Sequence, residues 1–407
     1  MSRYARARLV YAAASLLFCA SAARAGSLTI DLPTAIARAR ERAPEAIAAL
    51  TRIGEADAAR AGARILFSQN PELEIGAGPR LGTPRTTQLE ARIAQRFEPG
   101  RRGARIRVAE AGVQHARALG AAELRALDFA VATAFYEARA AELAVLLAQR
   151  GQELASRAAE AAERRRKAGD LTDLGVDLAR IALGRARSAV AAAEAERAEA
   201  LGRLGALIGA APGEALALAG ELRPPPLTLD ELRAAVPLRA DVRALDAESR
   251  LARAEEVLAA AAGRPELGAW LGYERDAGDT IVLGGISVTL PLWNRAQGDQ
   301  EAARARARGA ERERTAVVAA ASRQVVDAFE AYTRAREAVL VLERDVLPAL
   351  ADAEQLLERS IESGQLAIHD YLVARQEILG GRREHLDRQL ALAKAAAAAR
   401  FVAGAAP

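Results

Sequence analysis

Pro71-Glu72-Leu73-Glu74-Ile75-Gly76-Ala77-Gly78 alternates strictly, with Leu73, Ile75 and Ala77 on one face of an extended chain and Glu72, Glu74 and Gly76 on the other. Gln88 to Phe97 repeats the pattern: Leu89, Ala91, Ile93 and Phe97 oppose Gln88, Glu90, Arg92 and Arg96. Gly82-Thr83-Pro84 between them is a turn signal. Further along, Leu267, Ala269, Leu271 and Tyr273 alternate with Glu266, Gly268 and Gly272. Arg275-Asp276-Ala277-Gly278-Asp279 joins that run to Thr280–Leu292, which is apolar on both faces in places. Strands of about 9–11 residues with one apolar face are the pattern of a transmembrane β-barrel. In lipid an open hairpin leaves backbone groups unsatisfied, so only a closed barrel spans. About eight strands is the usual minimum for closure. Four strands per chain therefore require an oligomer, and three copies supply twelve strands with Glu72, Glu74, Glu90, Arg92 and Arg96 lining the lumen. The competing reading of the same strands is a small soluble β-domain capping a coiled coil.

Outside the strands the sequence reads as helix. Of the 407 residues 51% are hydrophobic, 27% charged and only 4% aromatic, and Lys167 and Lys394 are the only lysines. Ala, Leu, Glu and Arg favour long, closely packed helices, so one elongated helical body is expected rather than several compact domains. Leu124, Leu127, Val131 and Phe135 carry the helical period. Helices are expected over 30–66, 104–168 and 172–208, and again over 228–262, 298–362 and 368–403. Gly112, Gly120 and Gly309 are the expected weak points of the long helices.

The plan occurs twice. Leu28-Thr29-Ile30-Asp31 recurs as Leu227-Thr228-Leu229-Asp230, and Pro71-Glu72-Leu73 as Pro265-Glu266-Leu267. Gly169-Asp170-Leu171 recurs as Gly364-Gln365-Leu366. The offsets of 199, 194 and 195 residues keep order and nearly constant spacing, the mark of a tandem duplication. The expected units are a leader over 1–25, a first repeat over 26–220 and a second over 221–407, with Pro224-Pro225-Pro226 at the junction.

The leader reads as a secretory signal: Arg3, Arg6 and Arg8, an apolar run from Leu9 to Ala20, and a small-x-small cleavage site at Ala23-Arg24-Ala25. Cys19, the single cysteine, follows the bulky Phe18, which disfavours lipidation and places it in the apolar part of the signal. The net charge of +4 equals the four arginines of residues 1–25, so the remainder sums to zero with both signs interspersed. Nucleic-acid binding, which needs clustered positive charge, is not expected. Nothing after residue 25 offers 18 consecutive apolar residues for a spanning helix.

Leu28-Thr29-Ile30-Asp31-Leu32 with Ala35 and Ala43-Pro44-Glu45, Gln69-Asn70-Pro71-Glu72-Leu73, Thr289-Leu290-Pro291-Leu292-Trp293-Asn294-Arg295 and the two Gly-x-Leu turns together resemble the TolC family of outer-membrane efflux channels. Gln95-Arg96-Phe97-Glu98-Pro99-Gly100-Arg101-Arg102, with Arg105 and Ala109, resembles the heavy-metal branch, the outer components of cobalt–zinc–cadmium-type exporters. The resemblance implies a homotrimer in the outer membrane of a Gram-negative cell, with a twelve-stranded β-barrel and a helical barrel extending into the periplasm. It also implies docking through a periplasmic adaptor to an inner-membrane pump, commonly of the resistance–nodulation–division type. A periplasmic coiled-coil adaptor protein is the alternative from another class.

No reaction chemistry or cofactor site is expected. His115, His369 and His385 are far apart and form no i, i+4 ligand pair, so each is read as a helix-surface residue, with no metal site. For a conduit the interest lies in wall charges and constriction. Gly169, Leu171, Gly364 and Leu366 match the adaptor-docking turns, the leucines as exposed apolar anchors. Asp170, Asp173 and Asp177 cluster at a helix start, where capping alone favours Asp; with Asp370 they are the candidates for a pore constriction that threefold symmetry would turn into acidic rings.

Overall fold

A computed structural model describes residues 28–405 except 81–85, 277 and 364–365. The signal residues, Ala23 and Ala25 among them, Cys19, the Gly82–Pro84 turn and Gly364 lie outside the described residues. Helices dominate: α1 (Leu32–Arg42), α2 (Pro44–Ala63), α3 (Arg101–Lys167), α4 (Asp173–Leu207), α5 (Leu229–Ala235), α6 (Ala240–Ala262), α7 (Gln297–Val341), α8 (Leu347–Ser363) and α9 (Ile368–Ala403). The strands are β1 (Leu28–Ile30), β2 (Glu72–Arg80), β3 (Thr86–Phe97), β4 (Leu216–Leu218), β5 (Glu266–Asp276) and β6 (Asp279–Thr289).

Proline explains where the helices depart from the expected spans. The helix expected over 30–66 is two, because Pro44 at the start of α2 holds Ala43 extended (ψ 140°). Pro237 likewise divides the helix expected over 228–262 through a 3₁₀ turn, Val236–Leu238. Leu28–Ile30 is not a helix start but a strand, paired in parallel with β4; Asp31 then caps α1 by accepting from the Thr34 amide at 2.9 Å. In the second half Thr228 caps α5 through a reciprocal bond pair with Glu231.

The long helices differ. α3 runs unbroken for 67 residues, about 100 Å at about 1.5 Å per residue. Gly112 and Gly120 do not interrupt it; a Cβ on Gly120 would sit 3.5 Å from Ala49 and Ile53, so its small size lets α2 approach α3. Its counterpart continues through Gly309 but passes into a π turn, Leu342–Val346, before α8. Pro348 lies two residues beyond; it has no N–H for the carbonyl one turn back, and the wide turn accommodates the missing bond.

The core is small-residue packing. Ala35, Ala39, Ala132, Ala138 and Ala393 meet Ile30, Val131, Phe135, Leu204 and Ile208 where α1, α3, α4 and α9 come together. Buried Asp128 on α3 accepts from Arg40 Nε at 2.8 Å and faces Arg125 at 3.6 Å, pinning α1 to the long helix. Arg38 forks onto Glu214 at 2.7 and 2.6 Å, and this partner holds the Glu214 carboxyl down at about 2.

Candidate functional site: a two-faced sheet and a clipped helical tip

The four long strands form one antiparallel sheet in the order β2-β3-β5-β6, joining the hairpins of both halves. Register fixes its faces. Ile75 pairs with Ala91, Ile93 with Leu271, and Tyr273 with Val282, while Glu74 pairs with Arg92, Glu90 with Glu274, and Trp270 with Gly285. Paired residues share a face, so Glu72, Glu74, Glu90, Arg92 and Arg96 stand together on the polar side, joined by Trp270 and Glu274. The opposite face carries Leu73, Ile75, Leu89, Ile93, Leu271, Val282, Ile286 and Val288, all exposed in the single chain.

Arg92 stacks on the Trp270 ring, 4.6 Å from its centroid. A Cβ on Gly285 would lie 2.7 Å from the indole, so only glycine lets the ring lie flat across the neighbouring strand. Gln88 donates to Glu274 at 2.6 Å, and Arg96 meets Glu72 at 3.5 Å. Strands of 9–12 residues rising about 3.3 Å each are long enough to cross an apolar band about 25 Å tall. No helix among the described residues is long and apolar enough to cross a membrane.

At the far end of α3 the chain reverses. Gly169 takes φ 83°, the left-handed conformation that ends a helix, and the Asp170 amide returns to the Arg165 carbonyl at 2.9 Å. Thr172 caps α4 through the Gly175 amide at 3.4 Å. Asp170, Asp173 and Asp177 are exposed here; Asp173 meets Arg166 at 3.4 Å, and Asp177 meets Arg180 at 3.6 Å. Asp370 is exposed in the first turn of α9. The docking leucines are not the exposed anchors expected. Leu171 folds back over Gly175, where a Cβ would be 2.7 Å away, and Leu171 and Leu366 both pack against the tip core. The exposed apolar side chain at this turn is Leu174.

Sequence reasoning missed the contacts that hold the second hairpin, α8/α9, against the first. Arg150 on α3 donates to Glu354 at 3.3 Å and also pairs with Glu358, while Glu354 pairs with Arg382. Glu153, first among its carboxylate partners, raises the Arg150 pKa. Tyr371, almost fully buried, donates to the Leu154 carbonyl at 3.3 Å, and burial pushes its phenol pKa up. Arg375 donates to the Gly151 carbonyl at 3.0 Å, and burial pushes its pKa down. Nearer the end, Arg165 donates to the Leu366 carbonyl at 3.1 Å. Beneath these bonds Ala158, Ala162, Val176, Leu357, Ile368 and Ile378 form a separate apolar cluster. Tyr371 was the legible signal: an aromatic residue four before Arg375 on a helix otherwise poor in rings.

The histidines lie apart. His385 is more enclosed than a surface residue and approaches Glu343 of the π turn at 3.7 Å. No cluster of three metal-ligating side chains occurs among the described residues.

Residues 232–405 match the sequence model of the outer membrane efflux protein family. No curated protein sequence matches the chain. Among solved structures the chain is similar to CusC, from work on transmembrane channel formation, at 18% identity and TM-score 0.73, covering 93% of this chain and 94% of that one. It is similar to the outer membrane protein VceC of Vibrio cholerae at 20% identity and TM-score 0.71, covering 92% and 96%. The open state of the MtrE outer membrane channel of Neisseria gonorrhoeae matches at 20% identity and TM-score 0.70, covering 92% and 89%. The family match is confined to residues 232–405, and the likeness to these channel structures over most of the chain is one of fold.

Proposed function

We propose that three copies of this chain form a passive export duct. Their sheets close into a twelve-stranded barrel in the outer membrane, and their helices form a conduit reaching through the periplasm. The single observation that supports this reading is the two-faced sheet: its apolar face, outward in this reading, is exposed, its other face carries Glu72, Glu74, Glu90, Arg92 and Arg96, and its edges, β2 and β6, have no strand partner among the described residues. Lipid on one side and water on the other satisfy those faces, and neighbouring copies satisfy the edges.

The helical tip is the gate, held by the Arg150, Tyr371 and Arg375 bonds and released when an adaptor meets the turns at Gly169–Leu171 and Gly364–Leu366. An inner-membrane pump, of the resistance–nodulation–division type in this reading, supplies the cargo. Exposed Asp173 and Asp370 form acidic rings at the tip, with Asp170 and Asp177 adjacent, and these favour cations. The likeness of residues 95–109 to the heavy-metal branch supports metal cations as cargo. The test is the reversal potential of single channels in a salt gradient. A cation bias that shrinks in Asp173→Ala and Asp370→Ala is expected; an unbiased wild-type channel would remove the acidic rings from the account.

A further inference from the structure

We infer that the cavity between α1, α3 and α6 is a binding site for a small polyanion, a molecule carrying two or more phosphate or carboxylate groups. Arg117, Arg243 and Arg250 hold it, and Arg40 and Arg125 complete the arginine wall. The site stands on the helical part of the chain and needs neither the barrel nor the duct.

The cavity measures about 830 Å³, within the range of small-molecule pockets, about 300–1,000 Å³. Small side chains leave the room: Ala118 and Ala121 on α3, and Ala247 on α6. Three helices supply the arginines, Arg40 from α1, Arg117 and Arg125 from α3, and Arg243 and Arg250 from α6. Spacings of eight and seven residues put the α3 pair and the α6 pair each on one helix face, about 10–12 Å apart along the axis. That spread suits a ligand with several anionic groups better than a lone ion. α3 lies between α2 and α6, and α6 between α3 and α7, so copies joined side by side through α2 and α7 leave the cavity uncovered.

Positive charge is what the cavity has in excess. Asp246 is the one acidic residue in its lining, and it pairs with Arg314 of α7. Asp128, 2% exposed, takes both Arg40 and Arg125, and Arg125 also donates to the Ala405 carbonyl. These two guanidiniums are thereby fixed before a ligand arrives. Arg117 has only Asp57 at 3.7 Å, and Asp57 is already engaged by Arg60 at 2.8 Å. Arg243 and Arg250 have no carboxylate within ion-pair distance among the described residues. On the same helix Arg253 pairs with Glu311, and at its start Arg239 pairs with Asp241. With Arg314 included, six guanidiniums at this place meet three carboxylates. Guanidinium forks match the oxygens of phosphate and carboxylate bidentately, which fixes the class of ligand. In the barrel reading its source is not a lipid headgroup. Arg117 lies sixteen residues into α3, about 24 Å from the strands, beyond a headgroup layer about 5–8 Å thick.

Full-length protein in nonionic detergent at fixed ionic strength is titrated calorimetrically with tripolyphosphate, with citrate, and with dihexanoylphosphatidylglycerol as a single-headgroup probe. Saturable binding of tripolyphosphate or citrate at one site per chain is expected, and the tighter of the two tells whether phosphate or carboxylate is preferred. Arg243→Ala/Arg250→Ala is expected to weaken that binding about tenfold or more. Arg308→Ala/Arg312→Ala, which removes the same charge from exposed positions of α7, is expected to change it less than about twofold. Arg243 and Arg250 hold no ion pair among the described residues, so the fold does not depend on them, and Arg243→Gln/Arg250→Gln repeats the test with more of each stem retained. Absence of saturable binding to both polyanions would overturn the inference. So would equal weakening in the two alanine double variants, which would mark diffuse attraction to surface charge. Saturable binding of the phosphatidylglycerol alone would overturn it too, by making a singly charged headgroup the ligand. Channel current in the same preparation reports the duct separately, so a conducting protein that binds no polyanion sinks the site alone.

Discussion

Arg150→Glu is expected to open the tip, raising the fraction of time a reconstituted channel conducts by about tenfold. Arg150 is about one-third exposed, so its two bonds to α8 are partly screened and their removal alone costs on the order of 1 kcal/mol. Reversal of charge adds repulsion from Glu153, Glu354 and Glu358, which surround the same position. Each ~1.4 kcal/mol moves the balance between closed and open states about tenfold. Arg150→Ala should therefore open less than Arg150→Glu. Tyr371→Phe acts by another route: it strips the Leu154 carbonyl of a buried donor, a loss of roughly 1–3 kcal/mol. Open probability in planar bilayers reads all three variants. A well-assembled Arg150→Glu channel that gates like wild type would show that these bonds hold the fold and not the gate.

The second large effect separates two adjacent side chains that hydropathy does not distinguish. Val282 and Leu283 are both apolar and both more than half exposed in the single chain, at 63% and 56%. Register puts Val282 beside Tyr273 on the apolar face and Leu283 beside Gly272 on the face that carries Glu74 and Arg92. Arginine in mid-bilayer costs about 2–4 kcal/mol per site. Three chains in one barrel multiply that to roughly 6–12 kcal/mol, comparable with the whole stability of a typical protein domain. Val282→Arg should abolish assembled trimer in outer-membrane fractions, whereas Leu283→Arg, facing water in the lumen, should leave it nearly unchanged. Equal tolerance, or the reverse order, would mean that the outward face does not meet lipid.

Much of this was legible in the sequence because the relevant signals are local. Period-two alternation from Glu72 to Gly78 and from Gln88 to Phe97 separated the polar from the apolar residues as the register does, and the register joins the two hairpins into one sheet. The cluster of Asp170, Asp173 and Asp177 read correctly as the neighbourhood of a helix start, which falls at Asp173. The helix breaks at Pro44, Pro237 and Pro348 were also written locally, but the long apolar and Ala-rich periods around them masked each one. Other features are not local at all. β1 and β4 are three residues each and pair across nearly 190 positions, with no turn between them to signal it. The clip joins α3 to α8 and α9 across more than 200 positions, and several of its acceptors are backbone carbonyls, which leave no trace in residue identity. The tucked position of Leu171 depends on the absence of a side chain at Gly175, a packing fact that spacing does not carry.

The measurement that tests the central claim most directly is the mass of the species extracted from outer membranes in mild detergent, followed by its current in a planar bilayer. A trimer that requires detergent for release and conducts with a cation bias is the predicted result. A species released without detergent that forms no pore would contradict the account, because the exposed apolar face of β2, β3, β5 and β6 would then have no lipid to meet.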